Sequence, residues 1–76
     1  MITAEAIIKR IESLGYKVSG RIITSSWAGF HLVFIELFAI KMPEGKPLWM
    51  ARTADCDGEA ALYVAAKALV DMMGIV

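Results

Sequence analysis

The strongest structural signal in this sequence is the stretch FHLVFIELFAIKMPEGKP, residues 30–47. Aromatic and aliphatic residues occupy both alternating faces from Phe30 to Met42, which is typical of a central β-strand. The segment from Pro43 to Pro47 predicts a turn, because proline presets φ and glycine accepts φ above zero. Residues 48–53 are rich enough in apolar residues to return as a third, short strand. This region therefore predicts a β-hairpin.

Upstream of the hairpin, residues 4–14 place apolar side chains at helical spacing and leave charged side chains for water. Thr3 is a suitable N-cap, and Gly15 follows the last apolar position, where a left-handed residue commonly closes a helix. This segment predicts an amphipathic helix.

Between the helix and the central strand, the apolar period changes to two over residues 16–22, which predicts a half-buried strand. Gly20 within it is typical of a β-bulge. The small and polar residues 24–29 predict a connection.

Downstream of the hairpin, Asp55 or Asp57 is placed to cap a final helix that Gly74 ends. The polar residues of this helix form one stripe, and the remaining positions are apolar, which predicts burial on most sides. The stripe consists of Glu59, Tyr63, Lys67 and Asp71.

Taken together, these elements predict a single small α+β domain over residues 1–76. Their order is α-β-β-β-α, and we expect a three-stranded antiparallel sheet with both helices on one face.

Composition limits the classes of function. The chain has 76 residues, of which 58% are hydrophobic, against roughly 45 to 50% in ordinary soluble domains, so we expect an apolar face to meet a partner.

A single cysteine forms no internal disulfide and indicates a reducing compartment. The longest apolar stretch is too short to span a bilayer and no secretory signal is visible, so a cytoplasmic protein is expected.

The formal net charge is +0, which gives no overall electrostatic case for nucleic acid or anionic lipid. Locally, residues 1–54 carry seven Lys/Arg and four Asp/Glu, whereas residues 55–76 carry one and four. The C-terminal element is therefore acidic.

Candidate catalytic and metal-binding residues have simpler structural explanations. The run from Asp55 to Glu59 is too short for a calcium loop and fits helix capping. His31 is the only histidine, and Cys56 lies between two carboxylates, where an inert thiol is expected. The sequence has no nucleophile elbow, phosphate loop or paired cysteine motif. We therefore expect no enzymatic activity, no metal site and no cofactor.

The central strand predicts an interaction surface. By alternation, one face of this strand carries the aliphatic set Val33, Ile35, Leu37 and Ala39, and the other face carries Glu36. A glutamate is almost never fully buried without a partner. We therefore expect the aliphatic set to face the helices, and a homodimer or another protein to cover the open face. Arg21 is expected to pair with Glu36; the alternative is that Glu36 is buried against Arg52, with the faces exchanged. The expected interface residues are Phe30, Leu32, Phe34, Glu36 and Phe38.

The α-β-β-β-α order, together with Gly29, His31 and Phe34 and the segment AAKAL at residues 65–69, resembles the double-stranded RNA-binding domain. The resemblance implies duplex RNA as an alternative partner. That family begins its last helix with clustered lysines, whereas residues 55–59 here include three carboxylates that repel phosphate, so nucleic acid is not the expected partner. The basic and imidazole side chains available to this alternative are Lys9, Arg10, Lys17, Arg21 and His31.

The segment Trp49–Arg52 followed by the alanine-rich residues 60–74 is similar to small phage-encoded accessory proteins. That likeness implies a viral or mobile-element protein that binds or inhibits a host protein, such as a bacterial defence complex. The leading expectation is thus a non-catalytic interaction protein.

Overall fold

The computed structural model describes residues 2–75. The elements are α1 (Ala4–Glu12), β1 (Tyr16–Trp27), β2 (Phe30–Lys41), β3 (Lys46–Asp55) and α2 (Gly58–Met73). The three strands form one antiparallel sheet in the order β1-β2-β3. Helix α1 packs against β1 and α2, and α2 packs against β2 and β3. The predicted α+β fold and element order are confirmed.

Local capping interactions fix the helix ends. Thr3 Oγ1 accepts a hydrogen bond from the Ala6 amide at 3.1 Å, and Asp57 Oδ1 accepts one from the Glu59 amide at 2.9 Å. Each bond satisfies one of the amides that lack a partner in a helix's first turn. Gly74, with φ of 74°, ends α2 in the left-handed region. These three predicted signals are confirmed.

The core lies between the sheet and the two helices. The aliphatic set of β2 faces the helices: Ile35, Leu37 and Ala39 are buried. Helix α2 contributes mostly alanines, so its backbone approaches the sheet closely. Burying a large aliphatic side chain stabilises the folded state by about 2 kcal/mol. Few large aliphatic side chains are fully buried in this core. The buried residues are Ile11, Ile35, Leu37, Ala39, Ala51, Ala61, Ala65, Ala66 and Leu69.

Strand β1 is longer than the sequence suggested. The prediction of a connection over residues 24–29 is wrong, because β1 continues to Trp27, which pairs with Phe30. Only Ala28 and Gly29 form the turn, with φ values of 49° and 83°. Two successive residues with positive φ give a tight turn whose twist matches that of the strands. The resulting β1–β2 ribbon extends past β3, whose pairing with β2 ends at Val33 opposite Asp55.

The predicted β-bulge at Gly20 is also wrong. The β1–β2 pairing runs continuously through Gly20, which lies opposite Leu37. A Cβ atom at Gly20 would lie 3.1 Å from Leu37 Cδ2, so glycine here makes room for a buried side chain. The irregularity occurs instead between Ala39 and Ile40, where β2 pairs with β3.

Helix α2 is buried less completely than expected. Val64 and Met72 are each 48% exposed, and Leu14, expected in the core, is 45% exposed. With only three strands to cover, α2 buries one side and leaves the other to solvent. The molecule is elongated, with extents of 43 × 29 × 16 Å.

Candidate protein-binding surface

The sheet face opposite the helices, called the open face below, is centred on Phe34, Glu36 and Phe38 of β2. The strand register brings further side chains beside each of them. Phe34 lies between Ile23 and Ala54, Glu36 between Arg21 and Arg52, and Phe38 between Ser19 and Met50. Because paired residues point to the same side of a sheet, these side chains form one surface.

The assignment of faces from the sequence agrees with the burial pattern. Ile35, Leu37 and Ala39 are buried against the helices, whereas Phe34 on the other side is 40% exposed. The exchange of faces considered as the alternative is therefore wrong, but the contact of Glu36 with Arg52 that it included does form, on the open face. All five predicted interface residues have open-face parity: Phe30, Leu32, Phe34, Glu36 and Phe38.

Two arginines flank Glu36 at the centre of the open face. Arg52 Nε lies 2.9 Å from Glu36 Oε2, and Arg21 Nη1 lies 4.0 Å from Glu36 Oε1. The Glu36 side chain is only 19% exposed, while those of Arg21 and Arg52 are about 70% exposed. One carboxylate neutralises one of the two guanidinium groups, so the cluster has a net positive charge and exposed donors for a second carboxylate.

This cluster borders a shallow depression of about 570 Å³. Ile23, Phe34 and Ala54 contribute its apolar lining, and Arg21 and Arg52 its cationic groups. Such a surface can bind an apolar side chain next to a carboxylate. The sequence identified Phe34 and Glu36 but missed Ile23 and Met50 as neighbours, because only the register places them there.

The apolar surface continues along the β1–β2 ribbon. Trp27 and Phe30, paired beside the turn, are 78% and 65% exposed. Leu32 connects this end of the ribbon to Phe34. The open face therefore extends as an apolar strip from the central arginines to the tip of the hairpin.

The five residues considered for nucleic-acid binding do not share one surface. Lys9 and Arg10 lie in α1. Lys17 and Arg21 lie on the open face, opposite Ile40 and Glu36. His31 has the parity of Val33, on the helix side of the ribbon.

The start of α2, where the double-stranded RNA-binding family has lysines, carries the carboxylates of Asp57 and Glu59. Asp55 Oδ1 accepts a hydrogen bond from the Asp57 amide at 3.1 Å. These side chains thus form the cap of the helix rather than a phosphate-binding site.

Across residues 2–75, no group of three or more His, Cys, Asp or Glu side chains is placed to hold a metal ion. The only cysteine, Cys56, is exposed and not in a disulfide. Neither helix in this part of the chain has both the length and the apolarity needed to cross a membrane.

Comparison with known proteins gives no family: no protein-family model, curated protein or solved structure matches this chain significantly. The resemblance to the double-stranded RNA-binding domain consequently extends to the α-β-β-β-α topology with its antiparallel sheet, and no further.

Proposed function

We propose that this chain is a non-catalytic interaction protein that binds another protein through its open face. The observation that supports the proposal is the combination of exposed apolar side chains with the Arg21–Glu36–Arg52 cluster. Contiguous exposed apolar surface on a small protein is typical of an interaction site. Aromatic residues and arginine are also the residue types enriched at the centres of protein interfaces.

The charge of the cluster specifies the chemistry of the partner. Two guanidinium groups share one carboxylate, so a partner that offers a second carboxylate gains charge-assisted hydrogen bonds in a desolvated setting. The partner surface therefore presents apolar side chains around an Asp or Glu. The likeness to small phage-encoded accessory proteins extends the proposal to a host protein as the target, with inhibition as the outcome.

The test is affinity capture from bacterial lysate with three forms of the protein. Wild type is compared with Phe34→Glu/Phe38→Glu, which places charges on the open face, and with Val64→Glu, a similar change at an exposed apolar position of α2. We expect a protein that wild type and Val64→Glu retain and the double variant loses. Circular dichroism must show all three folded.

A second arm tests the charge. Arg52→Glu removes the guanidinium closest to Glu36 and places a second carboxylate beside it, so it should weaken capture at least tenfold. The proposal would be contradicted if the same proteins were captured equally by wild type, by Val64→Glu and by the two open-face variants, Phe34→Glu/Phe38→Glu and Arg52→Glu.

The topology by itself favours one alternative, a nucleic-acid-binding function of the double-stranded RNA-binding type. A gel shift with duplex RNA and DNA at low salt distinguishes it, because phosphate binding is strongly salt-sensitive. Tight, salt-sensitive retardation would favour this alternative over protein binding.

A further inference from the structure

Strand β1 lies at an edge of the sheet and exposes apolar side chains on both of its faces. Ile22 and Ile23 are consecutive and are 64% and 45% exposed. Since successive side chains of a strand point to opposite faces, Ile22 is on the helix side and Ile23 is on the open face. A protein bound to the open face would cover Ile23 but not Ile22. An additional strand alongside β1 would shield both.

The two edges of the sheet differ in their protection against such pairing. Strand β3 begins with Lys46 and Pro47 and pairs irregularly with β2 next to Ala39. Charge, proline and irregular pairing are the devices by which natural sheets block an edge. Strand β1 has neither proline nor a charged residue from Ile22 to Trp27. Its charged residues, Lys17 and Arg21, both lie in the first half, so the edge of β1 is less protected than that of β3.

We propose that a second copy of this chain pairs with β1 in antiparallel orientation, around a two-fold axis at Ile22 that is perpendicular to the sheet. The result is a six-stranded sheet with all four helices on one side and a continuous open face on the other. This dimer differs from the face-to-face pairing expected from the sequence, which would leave Ile22 uncovered.

At this register no two charged residues lie directly opposite each other. Ile22 lies opposite its own counterpart, Arg21 lies opposite Ile23, and Lys17 lies opposite Trp27, where a cation can contact an aromatic ring. Moving the axis to Arg21 would place two arginines directly opposite each other, which is destabilising. The axis at Ile22 also uses residues 17–27, almost the whole of the strand.

The accessible surface of the chain agrees with a missing neighbour. A compact monomer of 8.3 kDa exposes about 4,600 Å² by the usual size scaling. This chain exposes 5247 Å², which exceeds the scaling value by roughly 600 Å². Stable interfaces bury about 800 Å² per partner, an area of the same order as this excess.

Cysteine cross-linking tests both the partner and the register, in a Cys56→Ser background that removes the native thiol. Ile22→Cys places two thiols opposite each other, with Cα atoms about 4.5 to 5.5 Å apart, a range that a disulfide spans. Thr24→Cys is the matched control, because Thr24 is also exposed and β-branched and lies on the same face of β1 as Ile22. In the proposed dimer the two copies of Thr24 are roughly 13 Å apart, too far for a disulfide. We expect mild oxidation to give a covalent dimer with Ile22→Cys and monomer with Thr24→Cys. Equal cross-linking at both positions, or none at Ile22→Cys, would overturn the proposal.

Light scattering provides the second measurement. Wild type is expected at twice the 8.3 kDa chain mass, and Ile22→Lys, which puts like charges at the axis, at the monomer mass. Val64→Lys, a similar change on α2, should remain a dimer. Phe34→Glu/Phe38→Glu should also remain a dimer, so that loss of partner capture and loss of self-association are separate results. A monomeric wild type, or a dimer that dissociates with the face variant and not with Ile22→Lys, contradicts edge pairing.

Discussion

Asp57 determines where α2 begins. Its Oδ1 accepts a hydrogen bond from the Glu59 amide at 2.9 Å, and its negative charge lies near the positive end of the helix dipole. Asp57→Ala should therefore lower the free energy of unfolding by about 1 kcal/mol. Asp55→Ala should add to this loss, because Asp55 Oδ1 accepts a hydrogen bond from the Asp57 amide at 3.1 Å. Urea unfolding followed by circular dichroism measures both variants.

The control for this prediction is Asp71→Ala in the same helix. Asp71 makes only an exposed i,i+4 ion pair with Lys67, at 3.4 Å, which is worth about 0.3 to 0.5 kcal/mol. Its charge also lies near the negative end of the helix dipole, so its loss should leave the free energy of unfolding nearly unchanged. Equal effects of Asp57→Ala and Asp71→Ala would contradict the capping role. A melting temperature that calcium raises in wild type, but not in Asp55→Ala/Asp57→Ala, would show that the carboxylates bind metal instead.

Among the elements, the β1–β2 hairpin depends on a turn with an unusual residue. Ala28 has φ of 49°, a region in which alanine is strained and asparagine is tolerated. Asn-Gly is also the preferred pair for a two-residue turn with positive φ at both positions. Ala28→Asn should therefore stabilise the protein by about 0.5 to 1 kcal/mol, whereas Gly29→Ala should destabilise it.

Urea unfolding at one fixed protein concentration measures both turn variants, because the stability of a self-associating protein depends on concentration. Amide hydrogen exchange of residues 24–32 reports the ribbon separately, since local opening there need not unfold the whole sheet. Unchanged stability and unchanged exchange with Ala28→Asn would contradict the idea that the turn is strained.

The same hairpin shows why some elements could be predicted and others could not. The helix starts at Thr3 and Asp57 were predictable because capping depends on a few neighbouring residues. The end of β1 was not, since Ser25 and Ser26 read as a loop in isolation. They become strand because Leu32 and His31 lie opposite them, and such pairing depends on residues distant in sequence.

The candidate site was partly predictable for a related reason. The position of Glu36 in an otherwise apolar strand indicates which side of β2 is open, so Phe34 and Phe38 could be placed correctly. The neighbours Ile23 and Met50 depend on how three strands are aligned, and the irregular pairing between Ala39 and Ile40 shifts β3 by an amount that alternation does not reveal.

At the scale of the whole molecule, charge is separated between the two sides of the fold. The open face carries Lys17, Arg21 and Arg52 around Glu36, while the beginning of α2 carries Asp57 and Glu59. The side on which a double-stranded RNA-binding domain has its lysines is thus the acidic side of this protein. Carboxylates there repel a phosphate backbone.

The wild-type protein should therefore not bind duplex RNA with micromolar or tighter affinity at physiological salt. Asp55→Lys/Glu59→Lys reverses two charges and keeps the Asp57 cap, so it should strengthen non-specific retention in a gel shift. If both new lysines contact phosphate, the slope of log K against log salt becomes more negative by roughly 1.8. Glu12→Lys/Asp71→Lys makes the same change in net charge at the C-terminal ends of α1 and α2, away from the start of α2. Tight binding by wild type, or equal strengthening by the two double variants, would contradict the view that acidic residues at the start of α2 prevent duplex binding.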